Sequence, residues 1–110
     1  MIIYMVNFKK IFIAIALFFI FFNTNSYSEI VNKIVNSGYS APIIVNASNE
    51  ILVDLFLRGK IGFLDIVKTI NRIFKDKDFK KYAKRKPRSV KDIKMIDKWA
   101  RLKTTSMCVI

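Results

Sequence analysis

The chain predicts an all-α fold, a small bundle of three or four helices preceded by a hydrophobic, signal-like N-terminal helix. Three observations carry that expectation. Apolar residues recur at helical spacing in four segments after residue 28, and glycines or capping residues stand at the segment ends. No strand-period alternation and no internal repeat is visible. At 110 residues there is room for one small domain and no more.

Each element has its own local reason. Ile30, Val31, Ile34 and Val35 share one helical face, and Gly38 follows as a stop. Ala41 to Val45 reads as an extended linker, because Pro42 disfavours helical dihedrals at Ala41. Asn46 is then the expected cap of the next helix, with Glu50 near its positive end. Ile51, Leu52, Leu55 and Phe56 form a stripe that Val53 and Leu57 widen, and Gly59 ends it. Asp65 caps a third helix whose face is Ile66, Ile70, Ile73 and Phe74.

From Asp76 to Arg88 the chain turns polar and basic, closed by Pro87, and reads as an exposed, mobile connection. Ser89 with Asp92 resembles a capping box for the last helix. Val90, Ile93, Ile96 and Ala100 are its expected core face, and Trp99 its aromatic anchor. On that reading Val90→Asp or Ile93→Asp would break the helix's docking. The domain limits that follow are 1–28, 29–103 and a disordered tail over 104–110.

The first 28 residues have a different logic. Lys9 and Lys10 precede an apolar run from Ile11 to Phe22, and small residues two apart follow at Ser26 and Ser28. The run is shorter than the roughly 20 residues a spanning helix needs. A cleaved export signal is favoured over a permanent anchor, with membrane contact through residues 1–22 left open. An accident of AT-rich coding explains the same pattern equally well, so localisation stays undecided between export and cytoplasm.

Composition excludes several chemistries. There is no histidine, which removes His-based triads, His metal sites and imidazole shuttles. The single cysteine, Cys108, cannot form an intramolecular disulfide and lies one place too near the end for prenylation. The net charge of +12 makes polyanions plausible nonspecific partners, although a codon bias towards Lys, Ile, Asn and Phe accounts for it as well. The basic stretch with Phe79 and Tyr82 reads as solvated charge in preference to a nucleic-acid surface, since no nucleic-acid motif accompanies it.

Landmarks in order carry a resemblance. Gly38 and Ala41-Pro42 lead into Asn46-Ala47-Ser48-Asn49-Glu50. Phe56-Leu57 and Gly59-Lys60-Ile61-Gly62-Phe63-Leu64-Asp65-Ile66 follow, then Ser89 and Asp97-Lys98-Trp99-Ala100-Arg101. Together they resemble the C-terminal part of 1-deoxy-D-xylulose 5-phosphate reductoisomerase over about Glu29 to Lys103. The resemblance implies a helical domain that supports a catalytic domain. It also implies, for the full-length family, NADPH and a divalent metal such as Mg or Mn, held by an N-terminal and a central domain.

Nothing in this chain matches those two regions, and its three glycines lack the Gly-x-Gly-x-x-Gly spacing. No catalytic, cofactor-binding or metal-binding residue is therefore assigned. Asn46, Asn49, Glu50, Gly59, Asp65 and Trp99 are taken as a structural signature, and one carboxylate among amides is in any case a poor site for a hard cation. One departure stands out. Lys75 to Lys103 is far more basic than the family's counterpart is expected to be.

Three functions fit: a catalytically silent C-terminal reductoisomerase domain, one subunit of a split reductoisomerase, or an exported basic helical protein that binds anionic surfaces. The partners expected are the remaining reductoisomerase domains or a second copy of the chain. Asn46-Ala47-Ser48 also fits a glycosylation acceptor, which its expected place at a helix cap accounts for.

Overall fold

The computed structural model describes residues 25–108, and these are all-helical. The signal-like run at residues 1–22 lies outside the described residues. The helices are α1 (Asn25–Ser37), α2 (Ala41–Leu57), α3 (Phe63–Phe74), α4 (Phe79–Ala83) and α5 (Val90–Met107). Among the described residues no helix is long and apolar enough to cross a membrane.

α2 is the central element. Its N-terminal half lays Ala41, Ile44 and Ala47 into a core with Ile73, Phe79, Ala83, Ile96 and Ala100. Its C-terminal half lays Leu52 and Val53 against Ile66 and Ile70 of α3. The broad apolar stripe in the sequence thus serves two neighbours. Alanines on both sides of the α2–α5 contact let these two helices approach closely, and this is the most extensive packing in the bundle.

Several expected boundaries move. Ala41–Val45 is not a linker: α2 begins at Ala41, with Pro42 in its first turn. Proline is tolerated there because its missing N–H would have no intrahelical partner. Asn46 is therefore not a cap, and Glu50 does not lie near a helix start. The N-cap position belongs to Ser40, which is fully buried. Its hydroxyl donates to the Arg85 carbonyl, and its backbone N–H donates to the Ala83 carbonyl at 2.9 Å. The start of α2 is thereby tied to the end of α4.

Asp76–Arg88 is also not wholly a mobile connection. Phe79 and Ala83, one helical turn apart, are buried in α4 while the lysines around them face out. Phe79 meets Phe74 edge-on, with ring centroids 5.2 Å apart. The expected tail is helical from Thr104 to Met107.

The expected core face of α5 is half right. Ile96 and Ala100 are fully buried, but Val90 is 68% exposed and Ile93 42%. Thr104, one turn beyond Ala100, completes the buried face instead. Other expectations hold. Gly38 and Gly59 end α1 and α2 with positive φ. The Ser89 hydroxyl accepts from the Asp92 N–H at 3.2 Å, as a capping residue does, while Asp92 reaches back to the Arg88 N–H at 2.9 Å. Asp65 stands at the third position of α3, not at its cap, and its carboxylate accepts from the Gly62 N–H at 2.7 Å.

Candidate functional site

The signature Asn46–Glu50 occupies the middle of α2, where successive residues point in different directions. Ala47 and Ser48 are buried, Asn49 is half-buried, and Asn46 and Glu50 are exposed. Thr104 sits across from Ser48, its hydroxyl 2.9 Å from the serine's and 2.7 Å from the Ala100 carbonyl. A hydroxyl has one proton to give. The Thr104 hydroxyl directs its proton at two acceptors, the Ser48 hydroxyl oxygen across the contact and the Ala100 carbonyl of its own helix. Both buried hydroxyls are satisfied by one chain of hydrogen bonds across the α2–α5 contact. Burial in a helix also removes Ser48 as part of a glycosylation acceptor.

Glu50 continues the same seam at the surface. Its carboxylate accepts from Arg101 of α5 at 2.5 Å, and Arg101 also donates to Asp97 at 2.8 Å. Hydrogen bonding to Asp97, then to Glu50, raises the pKa of the guanidinium still further, so it is charged at every working pH. Asn46 donates weakly to Glu50 at 3.5 Å. The remaining signature residue, Asn49, keeps a buried Oδ1 with no hydrogen-bond partner among the described residues.

The other signature positions are scattered. Trp99 stacks on Tyr82 of α4, with centroids 4.4 Å apart and planes 17° apart, and the Arg85 guanidinium lies over the same tyrosine at 5.8 Å. Gly59 and Asp65 serve the α2–α3 turn. No common cleft gathers these residues. Thr104, Arg101 and Ser40 are contact residues that sequence reasoning passed over. The i+4 step from Ile96 through Ala100 to Thr104 was the available signal for the first.

The described residues do not fit a divalent metal. Among the described residues no three of His, Cys, Asp and Glu lie together as ligands. Where Glu50 and Asp97 come nearest to forming an acidic pair, the Arg101 guanidinium already occupies the position a cation would take.

Comparison with known proteins decides the family. The profile of the DXP reductoisomerase C-terminal domain matches residues 12–103. The chain belongs to that family. It is 43% identical over 75 residues to the 1-deoxy-D-xylulose 5-phosphate reductoisomerase of Blochmanniella pennsylvanica, covering 68% of this chain and 18% of the relative. With the enzyme of Pelagibacter ubique the identity is 35% over 81 residues, 74% of this chain and 21% of that one. With that of Crocosphaera subtropica it is 44% over 66 residues, 60% and 16%. The chain thus spans about a fifth of the length of these relatives. No solved structure matches it.

In this reductoisomerase domain Thr104→Val tests the seam directly. Val fills nearly the same volume but leaves the buried Ser48 hydroxyl oxygen without its donor, a loss of about 1–2 kcal/mol in unfolding free energy. Pairing it with Ser48→Ala should recover most of that loss, because then neither partner is left buried and unpaired. Urea unfolding of the two single variants and the double measures both effects.

Proposed function

We propose that this chain serves as the C-terminal helical support of a 1-deoxy-D-xylulose 5-phosphate reductoisomerase and contributes no catalytic group of its own. The observation that carries this reading is the use made of the signature. Ser48 and Glu50, its reactive side chains, are both spent on α5, one on Thr104 and the other on Arg101. A segment that commits a hydroxyl and a carboxylate to an interhelical contact is suited to holding two helices together.

The NADPH and divalent metal of the family then belong to segments other than this one. Reconstitution tests the proposal. Substrate-dependent NADPH oxidation should be undetectable with the purified chain alone. It should appear when the chain is combined with a polypeptide that carries the nucleotide-binding and metal-binding domains and lacks the C-terminal bundle. Turnover by the chain alone, or no gain on combination, contradicts the proposal.

One observation favours the split-subunit form of this reading. Met95 and Leu102 of α5, seven residues apart and so on one side of the helix, are large apolar side chains that face outwards, at 40% and 62% exposure. Such a face suits docking against a separate chain. Co-purification of the two polypeptides, lost on Met95→Lys/Leu102→Lys, is the expected result. The export reading draws less support, because α1 runs unbroken through Ser26 and Ser28, where cleavage was expected, and the family match reaches back to residue 12.

A further inference from the structure

We propose that the groove between α1, α3 and α4 binds a phosphate ester that carries an apolar substituent. The groove is open and holds about 550 Å³. Three helices build it: Lys33 comes from α1, Phe74 and Asn71 from α3 with Lys75 at its end, and Phe79 and Lys80 from α4 with Lys84 at its end. Four lysines thus converge on one concavity, and among the described residues no carboxylate lines it.

Glu29 pairs with Lys33 at 3.4 Å, and Asp78, next to Phe79, is outside the lining. Asp76, beside Lys75, is turned away to Lys103 at 3.1 Å. Lys75, Lys80 and Lys84 are exposed, and among the described residues none of them forms an ion pair.

The floor has the opposite character. Phe74 and Phe79 meet edge-on there, and Lys33 lies over the Phe74 ring at 5.9 Å. Asn71 also lines the groove, and its buried Oδ1 has no hydrogen-bond partner among the described residues. A cationic rim above an aromatic floor suits a ligand with two matching parts. A phosphate takes several ammonium donors at once, and an alkyl or aromatic substituent covers the exposed part of Phe74. This inference does not rest on the reductoisomerase reading.

Titration of the full chain at low salt tests it, with octyl phosphate, inorganic phosphate and phosphatidylcholine vesicles containing phosphatidic acid as probes. Octyl phosphate should bind saturably with one site, and about tenfold tighter than inorganic phosphate, because only the former covers the floor. Lys75→Gln/Lys80→Gln should weaken it about tenfold. Lys91→Gln/Lys94→Gln on α5 removes the same charge elsewhere and should change binding less than about twofold. Vesicle binding that falls with the first pair alone identifies a lipid headgroup as the source of the phosphate. Vesicle binding indifferent to the first pair identifies a free ester. Equal losses from the two lysine pairs, or octyl phosphate binding no tighter than inorganic phosphate, would overturn the proposal.

Discussion

Gly38→Ala should cost about 3 kcal/mol or more and leave a domain of this size largely unfolded. Two independent penalties coincide at this position. Gly38 has φ +133°, a conformation side chains rarely adopt, and an added Cβ would stand 2.4 Å from the Ala83 carbonyl oxygen and 2.9 Å from its carbon. Those atoms are backbone and cannot rotate away. Moving them would pull apart the junction where the Ser40 N–H donates to the same carbonyl at 2.9 Å. Gly59 is the internal control. Its φ is +71° but nothing lies within 4 Å of its missing Cβ, so Gly59→Ala should cost only about 1 kcal/mol. Urea unfolding midpoints separate the two, and equal midpoints would show that the Gly38–Ala83 contact is not tight.

The second large effect is Ile96→Asp. Ile96 is fully buried between α5 and the α2 core, so the variant buries a carboxylate with no cationic partner. The expected loss is about 4 kcal/mol or more, close to the whole stability of a small domain. Ile93→Asp, three residues earlier, should stay within about 1 kcal/mol because Ile93 is 42% exposed. Thermal unfolding followed by circular dichroism distinguishes them. Similar losses at the two positions would mean that the first turn of α5 is docked as firmly as its middle.

That pair also shows what the sequence could and could not reveal. Periodicity gives the direction in which a side chain points around a helix axis, and by that measure Ile93 and Ile96 belong together. It does not say whether a partner element lies opposite that turn. The same limit hid α4. Phe79 and Ala83 are one turn apart, but two apolar residues among six lysines and arginines from Lys77 to Lys86 give too short a pattern to stand out. Pro42 misled for another reason. The rule that proline disfavours helix in the residue before it is statistical, and here Ala41 opens the helix with Pro42 in the first turn, where it removes no hydrogen bond.

Local features with their partner three or four residues away and an element opposite were legible: Ser89 with Asp92, and Ile66, Ile70 and Ile73 on the buried face of α3. The candidate site was legible only as a signature. Glu50 and Ser48 meet Arg101 and Thr104, more than fifty positions away in the chain, and no local pattern shows such contacts.

The central claim is that the signature holds α2 to α5 and takes no part in chemistry. Glu50→Gln in the reconstituted enzyme tests it most directly. Gln keeps the size of the side chain and removes its charge, so the partly exposed pair with Arg101 loses under about 1 kcal/mol of stability. Turnover at saturating substrate should then stay within about twofold of the unsubstituted protein. A fall of about a hundredfold or more with the fold intact, as expected on losing a general acid or base, would place Glu50 in the catalytic machinery and contradict the account.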